Sequence, residues 1–234
     1  RMSATRLPGK PLLKINGQSI ISHVSKKAEE ANIGEVIVAT EDQEIVDDVK
    51  SNGFNAILTS NKHNTGTDRI YEALQKSNIR DVDLIMNLQG DEPAIEIDDI
   101  ISLNAKMVKN DSNLGTLAAI FEENKILESE NVVKVITEKN LKEHQFPRAV
   151  SFLRKSEKRK NIYHHIGIYC YSIDTLQRFV QLNQSKNEIE NRLEQLRALD
   201  NDIDINVALA KASPVGIDTE EDYLALKKIM EYKN

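Results

Sequence analysis

Three cations, Arg1, Arg6 and Lys10, fall within the first ten residues of a 234-residue chain, in the segment RMSATRLPGKPL beside Pro8 and Gly9. Gly and Pro interrupt helix and strand alike, so this charge sits on a loop. Such a loop is either a solvated chain start or a cradle for an anion. A different chemistry stands at NLQGDEP (87–93), where Asp91 and Glu92 follow an apolar run and precede a proline. Hard oxygens on a stiff turn suit Mg²⁺, which is usually held by one or two carboxylates together with substrate phosphates. An ordinary polar turn reads the same way. Asp218 in VGIDTEED is another candidate carboxylate, or an acid placed to complement a helix dipole. HNTGTDR (63–69) opens a predicted helix, whose first N–H groups could receive an anion or the edge of a base. Arg69 within it reads equally well as a surface residue.

A second group of candidates lies in the C-terminal half. In HHIGIYCY (164–171), a period of two places His165, Gly167, Tyr169 and Tyr171 on one side of a strand and His164 on the other. A histidine and two tyrosines on one face form a sugar-binding wall or a half-buried core. In LEQLR (193–197), Glu194 and Gln195 are neighbours on a predicted helix and read as solvent-exposed.

Elements that could position these groups alternate along the first half. QSIISHVSKKAEEANI is an amphipathic helix pattern, with Ile20, Ile21, Val24 and Ala28 on one face. EVIVAT (35–40), NAILTS (55–60) and DLIMNLQ (83–89) are strand-like. DQEIVDDVKSNG, closed by Gly53, and GTDRIYEALQKS are helices between them. Strand–helix alternation with short connections predicts a doubly wound α/β layer, whose ligands sit at the carboxyl ends of strands. A first strand is expected upstream of Arg1. LGTLAAIF (114–121), VVKVITE (132–138) and YHHIGIYCYSI (163–173) predict strands without long helices between them, as an antiparallel extension or a flap. NEIENRLEQLRALDN predicts one helix, DINVALAK (204–211) a last strand, and TEEDYLALKKIMEY a helix capped by Thr219. No linker or repeat divides the chain, so a single domain over 1–234 is expected.

Composition excludes several classes. The net charge of −6 is the wrong sign for a diffuse nucleic-acid footprint, which leaves the basic loop as a local site for a small polyanion. Apolar runs are too short to cross a membrane as a helix, and no secretory pattern is read at the start. The single cysteine, Cys170, excludes an internal disulfide and a CxxC zinc pair, and suits a reducing cytoplasm.

Taken in order, RMSATRLPGKPL, HNTGTDR, NLQGDEP, HHIGIYCY, LEQLR and VGIDTEED resemble one family, the 3-deoxy-manno-octulosonate (Kdo) cytidylyltransferases, over nearly the whole chain. The resemblance implies a three-layer, Rossmann-like α/β nucleotidyltransferase fold with a mostly parallel central sheet and a small antiparallel extension. It implies transfer of CMP from CTP to Kdo with release of pyrophosphate, for lipopolysaccharide biosynthesis. Alternatives are another acidic ulosonate, 8-amino-Kdo or a sialic-acid-like sugar, and a catalytically silent nucleotide-binding regulator. By the same resemblance Arg1, Ser3, Arg6 and Lys10 address the phosphates, and Thr67, Arg69 and Gln89 the cytosine and ribose. Asp91 and Asp218 hold Mg²⁺, with Lys10, Asp91 and Asp218 as the catalytic set. Arg148, His165, Tyr169, Glu194 and Gln195 bind the acidic sugar, in a sugar-binding and dimerisation part around 132–200. A cytoplasmic homodimer is implied, with HIGIYCYSI as a strand for the dimer contact. Pro147 stands where the family commonly has a small polar residue, which bears on the aim of Arg148.

Overall fold

A computed structural model describes residues 2, 7–121, 127, 129–156, 159–213, 216–217 and 219–232. Its contacts divide into two compact units. One comprises Arg1–Arg80, Leu88–Ile100 and Pro214–Asn234; the other comprises Asp81–Asn87 and Ile101–Ser213.

The first unit opens with a single 3₁₀ turn (Lys10–Leu12) and a two-stranded hairpin, β1 (Lys14–Ile15) and β2 (Gln18–Ser19). Its turn is Asn16–Gly17, both at positive φ (50° and 79°), the pairing that matches hairpin twist. Ser19 then caps α1 (Ile20–Glu30), its hydroxyl accepting from the Ser22 N–H. The helix therefore starts two residues later than the apolar pattern alone suggests, because Gln18 and Ser19 are taken by the hairpin. Parallel strands β3 (Val38–Thr40) and β4 (Ala56–Leu58) pair in register Val38 to Ala56 and Thr40 to Leu58. Between them runs α2 (Gln43–Ser51), whose Ile45, Val46 and Val49 pack with Val38 and Ala56. Gly53, at φ 86°, reverses the chain beyond the helix end as its position predicts. Next comes α3 (Gly66–Lys76), capped by Thr65.

A strand of the second unit, β5 (Leu84–Asn87), leads to α4 (Ile97–Asn110), a helix crossing from one unit to the other. No element is predicted there from the sequence, although Ile100, Leu103 and Met107, all buried, follow helical spacing. The last helix of the first unit, α8 (Glu220–Tyr232), is capped reciprocally. Thr219 Oγ1 accepts from the Asp222 N–H, and Asp222 accepts from the Thr219 N–H. Its Leu226 packs with Ile15, Ile20 and Ile217.

The second unit is built on a six-stranded sheet ordered β10–β6–β9–β7–β8, with β5 also on β9. These are β6 (Leu114–Ala119), β7 (Lys134–Thr137), β8 (Ala149–Leu153), β9 (Ile162–Ser172) and β10 (Asn206–Leu209). Strands β5, β6, β7 and β10 run in one direction and β8 and β9 in the other. The expected α/β class with mostly co-directional strands is therefore present. Direct pairings are nonetheless mainly antiparallel, because β9 inserts between strands that share a direction. HIGIYCYSI is thus a central strand, flanked by β6 on one edge and by β7 and β5 on the other.

Further helices described in this unit are α5 (Ile173–Gln181), α6 (Lys186–Asn191) and α7 (Leu196–Leu199). The single helix expected over 187–201 is thus broken into α6 and α7. Arg192 adopts the left-handed conformation (φ 53°), which a continuing helix cannot hold. Cys170 is fully buried, and burial pushes its thiol up to about 12.

Candidate functional site

In the first unit the basic loop is built around Gly9, at φ 71°, whose N–H donates to Met2 O at 3.0 Å. That conformation opens the 3₁₀ turn and buries Lys10 to 9% exposure. Lys10 Nζ donates to Asp91 Oδ2 at 2.7 Å and to Ile217 O at 2.5 Å. The Ile217 N–H donates back to Asp91 O at 3.2 Å. Three segments far apart in sequence therefore meet at one ammonium group. Arg1, Ser3, Arg6 and Asp218 lie outside the described residues, although Ile217 immediately precedes Asp218 in the chain.

The Asp91 side chain is 40% exposed, and among the described residues its second carboxylate oxygen has no hydrogen-bonding partner. One oxygen is thus fixed by Lys10 and the other is presented outward. Gly90, just before it, lies under Ile21: a Cβ there would come within 2.8 Å of Ile21 Cδ1. The NLQGDEP turn thus passes close to the Ile21 side chain of α1.

HNTGTDR is braced rather than loose. Thr67 and Arg69 are buried. The Arg69 guanidinium donates to Thr59 Oγ1 at 2.7 Å, to Ser60 O at 3.3 Å and to Glu41. Arg69 thereby ties α3 to the carboxyl ends of β3 and β4, in place of the exposed position the sequence also allowed. Glu72 supplies a second brace: it accepts from the Ser60 N–H at 2.9 Å and pairs with His63 and Lys76. Lys76, then His63 and the Ser60 N–H, hold its carboxyl down at about 2. Neither Glu41 nor Glu72 was singled out from the sequence. An i to i+4 Glu72–Lys76 pair was the available signal for the second. Gln89 is half-buried just beyond β5.

The second unit gathers a different set. His165 and Tyr169 have ring centroids 5.5 Å apart, and Tyr169 and Tyr171 are 6.1 Å apart. Phe152 meets His165 edge-on at 5.0 Å, and Phe179 lies 6.0 Å beyond Tyr171. The predicted one-sided row exists and continues into neighbouring elements. Burial, with smaller help from His164, pushes the His165 imidazole down to about 3. Burial, with the nearby Tyr171 and Glu194, holds the Tyr169 phenol well above its ordinary range. Glu194 and Gln195 are not on an exposed helix face. They lie in the turn after Arg192, where Gln195 is buried and Glu194 half-buried, close enough to bear on Tyr169. That turn is anchored by Arg197, which makes a two-point pair with Glu188 (2.8 and 2.5 Å) and stacks over Phe179 at 4.7 Å.

Arg148 is placed elsewhere. Its guanidinium pairs with Asp204 at 3.1 Å, both side chains well exposed. The β7–β8 register passes from Ile136 opposite Ser151 to Thr137 opposite Ala149, leaving Val150 as an extra residue. Ala149 and Phe152 thus share the face that meets His165, and Arg148 falls on the opposite one. Pro147 O accepts from the Val207 N–H at 2.8 Å, which fixes the backbone entering this segment.

The chain is similar to known proteins over most of its length. The family model described as cytidylyltransferase matches residues 1–205. The 3-deoxy-manno-octulosonate cytidylyltransferase of Thermodesulfovibrio yellowstonii is 40% identical over 98% of this chain and 95% of its own. That of Rhodopseudomonas palustris is 40% identical over 99% and 95%. The chain belongs to the 3-deoxy-manno-octulosonate cytidylyltransferase family. A solved structure of CMP:2-keto-3-deoxy-manno-octonic acid synthetase, complexed with CTP, superposes with a TM-score of 0.89 at 34% identity, covering all of this chain and 96% of the other. An apo UDP-glucose pyrophosphorylase, 15% identical with a TM-score of 0.71 over 97% and 92%, shares the fold alone. The expectation of a nucleotidyltransferase fold and enzyme class is therefore met. Among the described residues no helix is long and apolar enough to cross a membrane.

Proposed function

We propose that the protein transfers CMP from CTP to Kdo, releasing pyrophosphate and supplying activated Kdo to lipopolysaccharide assembly. The observation that carries the nucleotide half is the junction of Lys10, Asp91 and the Ile217 backbone. In this reading the anomeric hydroxyl of Kdo forms a bond to the α-phosphorus, the bond to the pyrophosphate oxygen breaks, and the hydroxyl proton leaves to solvent. Negative charge builds on the phosphate oxygens, and the buried ammonium of Lys10 is held where such charge is stabilised without reorganisation. Asp91 keeps one carboxylate oxygen on Lys10 and has a second to offer, which fits a hard cation. Asp218, by family resemblance, would hold the cation together with Asp91 and oxygens of the triphosphate. When bound there, Mg²⁺ neutralises charge on the triphosphate and on the departing pyrophosphate.

Arg1, Ser3 and Arg6 serve the phosphates, and Thr67 and Gln89 the nucleoside, with Arg69 acting through the loop it braces. His165, Tyr169, Glu194 and Gln195 meet the hydroxyl-rich sugar. Arg148, on the other sheet face in this structure, serves the sugar carboxylate only after leaving Asp204. A cytoplasmic homodimer is part of the same reading, supported by family resemblance.

The test is product formation from CTP, Mg²⁺ and a panel of ulosonic acids, followed by pyrophosphate release. Turnover with Kdo above 8-amino-Kdo and sialic acid is expected. Turnover of another sugar with none for Kdo defeats the substrate assignment, and no turnover with any supports the silent regulator.

A further inference from the structure

We propose that Thr116 fixes the tautomer of His165, so that the imidazole presents Nδ1 to a bound sugar as a hydrogen-bond acceptor only. The inference rests on the reading of His165 as a sugar-binding residue, and it makes Thr116 a positioning residue for the reaction.

The β6–β9 ladder is irregular at one place. Thr116 stands opposite Tyr169, but Leu117 stands opposite Ile166, so Gly167 and Ile168 are two extra residues of β9 at this point of the ladder. The extra chain brings two carbonyls towards one side chain. Thr116 Oγ1 lies 2.7 Å from Ile168 O, 3.2 Å from Ile166 O and 3.0 Å from His165 Nε2. Thr116 is fully buried and His165 nearly so, so water cannot stand in for any of these partners.

A hydroxyl carries one hydrogen, and carbonyl oxygens carry none. That hydrogen goes to a carbonyl, with Ile168 O the nearer. Turned instead onto His165, it would leave Oγ1 facing two lone-pair-bearing oxygens with no hydrogen between them. Thr116 Oγ1 is therefore the acceptor from His165, and Nε2 bears the proton. Burial keeps the ring neutral, so it has one N–H and Nδ1 carries a lone pair. Among the described residues nothing hydrogen-bonds Nδ1.

The chemical consequence is selective. An acceptor nitrogen in a dry site takes a hydrogen bond from a sugar hydroxyl and repels a carboxylate. Of the two kinds of polar group on an ulosonic acid, His165 is thereby assigned a hydroxyl, and the carboxylate must be met by a cation. Thr116 serves the strand irregularity and the ligand contact with one oxygen.

The experiment compares wild type with Thr116→Val, which keeps the shape and removes the hydroxyl, and Thr116→Ser, which restores it. Histidine tautomers are read from long-range proton–nitrogen correlation spectra of ring-labelled protein, and KM is measured separately for Kdo and CTP. Wild type is expected to show His165 as the Nε2–H form. Thr116→Val is expected to mix the tautomers and raise the Kdo KM about tenfold, the cost of one misdirected buried hydrogen bond, with the CTP KM unchanged. Thr116→Ser is expected to recover both. An Nδ1–H form in wild type, or an unchanged tautomer in Thr116→Val, overturns the proposal, and the wild-type spectrum decides this even if the valine variant does not fold. A changed tautomer with an unchanged Kdo KM overturns the positioning role. His165→Ala with an unchanged Kdo KM separately removes His165 from the sugar site.

Discussion

Asp91→Asn isolates charge from shape at the Lys10 junction. The amide keeps the size of the side chain and can still accept from Lys10 Nζ, now 2.7 Å from Oδ2, but supplies no anion. A hydrogen bond to a charged partner contributes about 1.5–3 kcal/mol. Asp91 is 40% exposed, so solvent screening reduces the loss of stability to about 1 kcal/mol. For a chain of this size that lowers Tm by roughly 2–4 °C, a folded protein at assay temperature. Turnover should suffer far more, because removing one element of preorganised charge stabilisation typically costs about 10²–10³ in kcat. CTP binding, measured by calorimetry, should survive largely intact through the remaining phosphate and nucleoside contacts. Pyrophosphate release at saturating CTP and Kdo then reads the chemical step. Wild-type kcat in a folded Asp91→Asn protein would refute the assignment of this carboxylate to the reaction.

Other predictions follow from buried polar groups. Arg197→Ala strands Glu188, both side chains being under 5% exposed, and should cost about 3–5 kcal/mol in urea unfolding. Arg197→Lys should recover only part, since a point cation cannot reproduce the two-point contact; full recovery would argue against that geometry. Arg69→Ala removes a cationic partner of the mostly buried Glu41 and should cost about 3 kcal/mol. A variant as stable as wild type but weak in CTP binding would instead make Arg69 a direct ligand contact. The pH response of His165 has a definite sign. Its folded value, about 3, lies below the ordinary 6.5 of histidine, so the unfolded chain binds the proton first. Its neutral form supports the fold fully above pH 6.5, and stability falls as pH drops from there towards 3, by about 2 kcal/mol at pH 5. His165→Gln should flatten that part of the stability–pH curve, and an equal slope in both proteins at pH 5–6.5 would contradict the burial argument.

Much of the first unit was legible in the residues because its signals are local. Gly53 and Thr219 punctuate helices by their own backbone and side-chain chemistry, which needs no distant partner. The resemblance rested on short motifs of the same kind, and the family comparisons agree with it. What sequence missed locally it missed through competition. Gln18 and Ser19 carry a helical pattern, yet the Asn16–Gly17 turn claims them for a hairpin. Glu194 and Gln195 fit a helix until Arg192 leaves helical backbone.

By itself, then, the sequence determined the alternation of elements and the α/β class and offered a set of candidate groups, since periodicity and turn residues act over a few positions. Tertiary structure alone decided which of those groups meet. Lys10, Asp91 and Ile217 are joined across the length of the chain, and no local pattern encodes a bond between residues so far apart. The irregularities at Val150 and at Gly167–Ile168 likewise arise from pairing with another strand. One extra residue turned Arg148 to the far side of the sheet, and two extra residues gave Thr116 its hold on His165, because the register of a ladder is a property of two strands together.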